Sequence, residues 1–297
     1  MSFVPISSNI IFVRSESGGR FPYSNSLLIR DESTVLIDTG LEPALVERIA
    51  KEYRVDLVLN SHCHEDHVAG NHYFPESRIC AHRLDAPAIR SVDQLVELYG
   101  MSGTELEAHM AELMQLLALR DSRVDLEFED GYVFHIGSTR LQVLHTPGHS
   151  PGHCCFVILE ENLIFLSDID LTFFGPWYGA LNSNLEEFIA SIERLKGMRF
   201  ETAVTSHKAE IIKGNKTIRE KLTQYLTIIY QREEKLLNFL ENEHTLEEIA
   251  NQAIVYRKFP EPIASFKHME RILMQKHLDR LRARGEVEQT ETGYKTS

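Results

Sequence analysis

Apolar and polar positions alternate in short runs at the start of the chain. Residues 9–14, 24–30 and 34–38 read as three strands of a meander, with Gly18-Gly19-Arg20-Phe21-Pro22 and Asp31-Glu32-Ser33 as turns. The period then lengthens. Pro43 suits the first turn of a helix, and Leu45, Val46, Ile49 and Ala50 give it one apolar face to about residue 51. A continuous apolar stretch at 56–60 reads as a buried strand, and 78–81 as the next. Alternation of strand and helix patterns predicts a layered α/β domain.

Between residues 85 and 125 the pattern is helical. Leu95, Leu98, Leu106, Met110, Leu113, Leu116 and Leu117 recur at helix spacing, broken by Gly100 and Gly103. Helices covering the sheet are the simpler reading; a lid with Met101, Met110 and Met114 as an adaptable acyl-binding wall is the other. Strand patterns return at 132–136, 141–144, 154–159 and 163–167, with Gly137 and Glu160-Glu161-Asn162 at turns. Asn184, followed by Glu187, caps a helix whose stripe is Leu185, Phe188, Ile189, Ile192 and Leu195, and 201–206 reads as a further strand.

Past residue 212 the character changes. A long helix at 216–240, a capping box at Thr245-Leu246-Glu247-Glu248, a helix at 266–284 and a hairpin at 285–294 suggest a small appended unit. The expected division is 1–212, a connecting helix at 213–241, and 242–297.

Composition narrows the partners. A hydrophobic fraction of 43% with 25% charged residues is ordinary for a soluble globular protein. Residues 1–8 lack a basic, then apolar, leader pattern and no run approaches a membrane span, so a cytoplasmic location without membrane partner is expected. Cys63, Cys80, Cys154 and Cys155 show no disulfide framework, and neighbours Cys154 and Cys155 on a strand face opposite ways. Free thiols are expected. The net charge of −13 disfavours a nucleic-acid partner. Lys267, Arg271, Lys276, Arg280, Arg282 and Arg284 line the last helix, but Glu270 and Asp279 interrupt them, which favours packing or a homodimer.

The densest chemistry is Ser61-His62-Cys63-His64-Glu65-Asp66-His67, directly after the 56–60 strand. By the two-residue period His62 and His64 share a side, whereas Cys63 faces the other way as a packed thiol, and Asp66 and His67 follow around the turn. Imidazole and carboxylate donors without thiolates suit zinc, iron or manganese rather than a closed structural Cys site.

His62-x-His64-x-Asp66-His67 resembles the signature of the metallo-β-lactamase superfamily, and later motifs follow in that family's order. They are the strand ending in Asp38, then His145-Thr146-Pro147-Gly148-His149-Ser150-Pro151-Gly152-His153, then Asp168 after 163–167, and His207 after 203–206. The resemblance spans roughly residues 9–208 and implies a helix, sheet, sheet, helix sandwich with a small winged-helix-like C-terminal domain. It also implies two divalent ions, zinc first among the candidates. One would be held by His62, His64 and His149 and the other by Asp66, His67 and His207, with Asp168 bridging and Asp38 bracing the site from behind.

In such a site a hydroxide between the metals attacks the substrate carbonyl, with Asp66 as a candidate to orient it. His72, His82, His145 and His153 are expected outside the ligand set, and Asp170 is the competitor for Asp168's place. Phe174, Trp177 and Tyr178, in the aromatic loop after Asp168, are candidate pocket walls for a small-molecule substrate. The glutathione-binding residues of the glyoxalase II type are not found. The expectation is a binuclear hydrolase of a thioester, ester or lactone. Alternatives are a metal-dependent phosphodiesterase or ribonuclease, a mononuclear iron dioxygenase, and a non-catalytic regulatory or sensor protein.

Overall fold

The computed structural model describes residues 2–208 and 211–297. The first sheet opens as an antiparallel meander of β1 (Phe3–Pro5), β2 (Ile10–Val13), β3 (Ser26–Arg30) and β4 (Thr34–Ile37). After α1 (Pro43–Glu52), β5 (Leu57–Asn60) joins β4 in parallel. Then α2 (Glu65–Val68) leads to β6 (Arg78–His82), and α3 (Ala86–Arg90), α4 (Val92–Glu97) and α5 (Glu107–Leu116) lead to β7 (Leu126–Phe128). Both β6 and β7 add in parallel, so the seven strands lie in chain order.

The second sheet is an antiparallel run of β8 (Val133–His135), β9 (Arg140–His145), β10 (Cys154–Ile158) and β11 (Leu163–Phe165). A crossover through α6 (Leu185–Lys196) places β12 (Thr202–Val204) parallel to β11, and β13 (Ile211–Lys213) closes the edge. The chain continues as α7 (Asn215–Phe239), α8 (Leu246–Asn251), α9 (Ile263–Ala283) and a hairpin of β14 (Val287–Gln289) and β15 (Tyr294–Thr296).

Side-chain alternation makes this a four-layer stack. Leu27, Ile29, Val35 and Ile37 of the first sheet meet Leu141, Val143, Phe156 and Phe165 of the second in one buried cluster. The intervening Leu28 and Leu36 face outward, beneath Leu45, Val46 and Ile49 of α1. On the far side, Cys155, Val157 and Ile164 pack under Phe188 and Ile192 of α6. Strands covered on both faces therefore read as unbroken apolar runs. Cys154 belongs to the inter-sheet cluster and Cys155 to the outer one, the opposite facing expected of neighbours on a strand.

Two caps appear as their sequences require. Asn184 Oδ1 accepts the Glu186 and Glu187 amides, and Thr245 with Glu248 forms the capping box. The strands β1, β7 and β13 lie outside the elements that the pattern predicts; each stands at a sheet edge with at most one of its residues fully buried. The 85–125 stretch forms three short helices, with Gly100 and Gly103 at positive φ between α4 and α5. Met101, Met110 and Met114 are buried in its cluster, while Leu116 is exposed.

The C-terminal elements share the core of the second sheet. Leu222 and Ile229 of α7, Leu273 and Leu278 of α9, and Val287 and Tyr294 of the hairpin lie in one apolar cluster with Leu144 and Phe188. Among the described residues, no helix is long and apolar enough to cross a membrane.

Candidate metal centre

The candidate ligands gather where strands of both sheets end. Asp38 follows β4; His62 and His64 lie in the turn after β5; Asp66 and His67 are on α2. His149 sits in the loop after β9, Asp168 follows β11 and His207 follows β12. Gly40 makes the close approach possible, since a Cβ there would lie 1.5 Å from the Asp66 carbonyl oxygen. Asp38 and Ser167 both hold left-handed φ values, 60° and 51°, an uncommon backbone that often marks functional turns.

Two clusters result. In the first, His62 Nε2, His64 Nδ1 and His149 Nε2 lie 3.1, 2.8 and 3.2 Å from one another. Three buried imidazole nitrogens cannot all satisfy one another as donors and acceptors. Their spacing is near the ~3.3 Å that tetrahedral bonds of about 2.0 Å to one zinc ion would set. In the second, Asp66, His67 and His207 converge, with His207 Nε2 3.5 Å from Asp66 Oδ2.

Asp168 faces both clusters. Its Oδ1 is 3.0 Å from His67 Nε2 and 3.3 Å from His207 Nε2, while Oδ2 is 3.2 Å from His149 Nε2. His67 Nε2 and Asp168 Oδ1, though 3.0 Å apart, are both buried without a well-formed hydrogen bond. Orphaned donors and acceptors aimed at common points fit a pair of divalent cations, so the residues present suit the group that the motifs imply.

The outer nitrogens of three of the imidazoles, His67, His149 and His207, are held in place. His67 Nδ1 meets Asp38 Oδ2 at 2.8 Å, His149 Nδ1 the Trp177 carbonyl at 2.9 Å, and His207 Nδ1 the Gly19 carbonyl at 2.8 Å. Such bonds place the proton on the outer nitrogen and leave the inner one to bind a cation. Asp38 also accepts the Ser61 amide at 2.8 Å and the Ser61 hydroxyl at 2.7 Å, which fixes the start of the His-rich turn.

Electrostatics separates the clusters. Burial, reinforced by neighbouring imidazoles, pushes His62 and His64 well below the usual histidine range. Burial would lower His67 and His207 too, but Asp168 and Asp66 outweigh it: His67 is held well above its ordinary value and His207 rises to about 9. Asp168, despite burial, is held well below the carboxylate range by His67, His207 and His149. Because a cation needs the neutral imidazole, metal uptake by chelator-stripped protein is expected to release protons. The apparent affinity should climb with pH through about 9, where His207 loses its proton unaided, and further while His67, also held up, keeps its own. Zinc titration with a pH indicator checks this; uptake without proton release at neutral pH would contradict it.

Other expected residues occupy supporting places. His153 Nε2 accepts the Asp168 amide at 3.3 Å, and burial lowers its pKa to about 3, which suits a neutral acceptor. His145 Nε2 bonds the Pro151 carbonyl and stacks on His82, and His72 bonds the Ala69 carbonyl. Asp170 turns to the Thr172 amide and hydroxyl, both at 3.0 Å. Cys63 is buried among the apolar residues of the 85–125 helices, and burial raises its thiol pKa strongly, so it supplies no nucleophile.

The aromatic loop divides. The Trp177 ring lies beside the first cluster, its centroid 5.5 Å from His64 and 5.6 Å from His149. Tyr178 corrects the expectation of a pocket wall: it is fully buried against the C-terminal helices, bonded to His277 and Arg232. Phe174 also turns that way, packing on Tyr256. Tyr99 was not anticipated. Its ring lies 5.9 Å from His64 and its hydroxyl donates to Glu65 at 2.5 Å. Asp85, equally unforeseen, ties the two ligand-bearing loops together by accepting the Cys63 amide, the Ser150 hydroxyl and the Gly152 amide. Neither residue carries a sequence signal, since each is one polar position within an otherwise helical pattern.

A four-layer sandwich with paired His/Asp clusters at one rim defines the class: the chain belongs to the metallo-beta-lactamase superfamily, whose pattern it matches over residues 19–207. It is similar to the human Acyl-coenzyme A thioesterase MBLAC2, 29% identical over 201 residues, covering 61% of this chain and 68% of that protein. The Hydroxyacylglutathione hydrolase of Methylococcus capsulatus is 26% identical over 58% of this chain and 56% of its own length. An Atrochrysone carboxyl ACP thioesterase of Pseudocercospora fijiensis is 24% identical, over 79% and 62%.

Among solved structures, a metallo-beta-lactamase family protein from Thermus thermophilus superposes with a TM-score of 0.74 at 21% identity, covering 99% of this chain and 100% of that one. The shared fold therefore includes the C-terminal helices.

Proposed function

We propose that this protein is a binuclear metal-dependent hydrolase of thioesters. The observation that carries the reading is Asp168, whose two oxygens address two separate ligand clusters. His62, His64 and His149 would hold one ion, Asp66, His67 and His207 the other, and zinc suits the imidazole-rich set best. Two divalent ions held there would supply an acidified water as nucleophile at neutral pH and an electrophile for the carbonyl oxygen. The chain itself orients and insulates. Asp66, beside His67 and His207, would orient that water; Asp38 and the Trp177 carbonyl fix ring orientations, and the Trp177 and Tyr99 rings give one side of the site an apolar wall. No side-chain nucleophile is needed.

The thioester preference draws on the relatives, two named as thioesterases and one as a hydroxyacylglutathione hydrolase. Initial rates of the metal-reconstituted protein on an acyl-coenzyme A, an acyl-glutathione, a lactone, an aryl ester and an aryl phosphodiester, each with and without chelator, test it. A chelator-sensitive preference for either thioester is expected. Preference for the phosphodiester, or rates untouched by chelator, would overturn it.

A further inference from the structure

The loop from Phe173 to Ser183 runs past the His149 side of the site, and the C-terminal helices hold it. The Arg232 guanidinium on α7, only 3% exposed, donates to the carbonyl oxygens of Pro176 at 2.5 Å and Phe174 at 2.6 Å, and to the Tyr178 hydroxyl at 2.9 Å. That hydroxyl lies 2.6 Å from His277 Nε2, and His277 Nδ1 lies 3.3 Å from Glu233. Tyr256 engages the Trp177 indole N–H at 2.8 Å, and Lys276 on α9 donates to the Ser183 carbonyl at 2.8 Å. Between these anchors sits the Trp177 carbonyl, the acceptor for His149 Nδ1.

We infer that Arg232 is a positioning residue for His149. Its grip on the groups flanking Trp177 fixes the carbonyl that selects the His149 tautomer, and so aims Nε2 at His62 and His64. The residue type matters. A planar guanidinium reaches several oxygens at once through its fork of donors, whereas an ammonium is a point charge with no such geometry. Burying a cation is also a poor route to stability alone, since apolar side chains of similar volume often serve as well or better. The C-terminal segment, on this view, is part of the metal centre's support.

The inference rests on the metal reading of the site but not on the thioester reading, and its test uses metal binding in the full chain. Chelator-stripped wild type, Arg232→Lys and a control, Leu240→Ala just past the far end of α7, are compared for zinc affinity against a chromophoric chelator and for the absorption spectrum after cobalt(II) loading. Loss of an outer hydrogen-bonding partner lowers metal affinity about 10–100-fold. Arg232→Lys is expected to lose at least about tenfold in zinc affinity and to shift the cobalt spectrum, while Leu240→Ala lowers the melting temperature and leaves both unchanged. If Arg232→Lys does not fold, Tyr256→Phe loosens the same loop by one hydrogen bond and is expected to weaken zinc severalfold. Wild-type affinity and spectrum in the folded loop variant, or the same changes in Leu240→Ala, overturn the proposal. A wild type that takes up no zinc overturns it together with the metal reading.

Discussion

Asp168→Asn is expected to lower turnover by about a thousandfold and to leave no more than one ion tightly bound. The change is nearly isosteric, so packing around the site is preserved. An amide, however, has one acceptor oxygen and one donor nitrogen. Whichever cluster faces the NH2 group, at 3.0 Å from His67 or 3.2 Å from His149, meets a donor where a cation needs an electron pair. The negative charge that draws His67 and His207 toward their protonated forms is lost as well. Metal chemistry supplies several kcal/mol to the transition state, and about 1.4 kcal/mol is tenfold in rate. Elemental analysis together with kcat on the preferred substrate checks the expectation. Two retained ions with unchanged kcat would remove Asp168 from the bridging place.

Asp38→Ala should act from behind the ligands, with a loss of about 10–100-fold in metal affinity and about 1–3 kcal/mol of stability. The affinity loss follows from freeing His67 Nδ1, whose proton position Asp38 now determines. The stability loss follows from the Ser61 amide, which would be left buried without its acceptor. Isothermal titration with zinc and denaturant unfolding separate the two effects. A destabilised variant with wild-type zinc affinity would show that Asp38 shapes only the turn.

Much of this arrangement was legible in the sequence, because its signals are local. His62, His64, Asp66 and His67 crowd one turn, and His149, Asp168 and His207 each follow an apolar strand. Strands buried on both faces announce themselves by composition, and the caps at Asn184 and Thr245 by residue type. What escaped depends on tertiary approach. Tyr178 and Trp177 are neighbours in an aromatic loop, yet one ring faces the His64 and His149 imidazoles and the other is drawn away by Arg232. No local pattern distinguishes them. Asp85 gathers the Cys63 and Gly152 amides from different parts of the chain, a convergence visible only once both sheets are in place.

The C-terminal boundary at residue 212 is likewise a feature of pattern rather than of packing. Val287 and Tyr294 occupy the same apolar cluster as Leu144 and Phe188. On the ribosome the first sheet and α1 can dock early, at about 5–20 residues per second of synthesis. The second sheet must wait, with part of its outward face uncovered, until residue 294 has emerged. During that interval apolar surface of the nascent protein faces water, and the order of translation, more than the order of the fold, sets how long it does so.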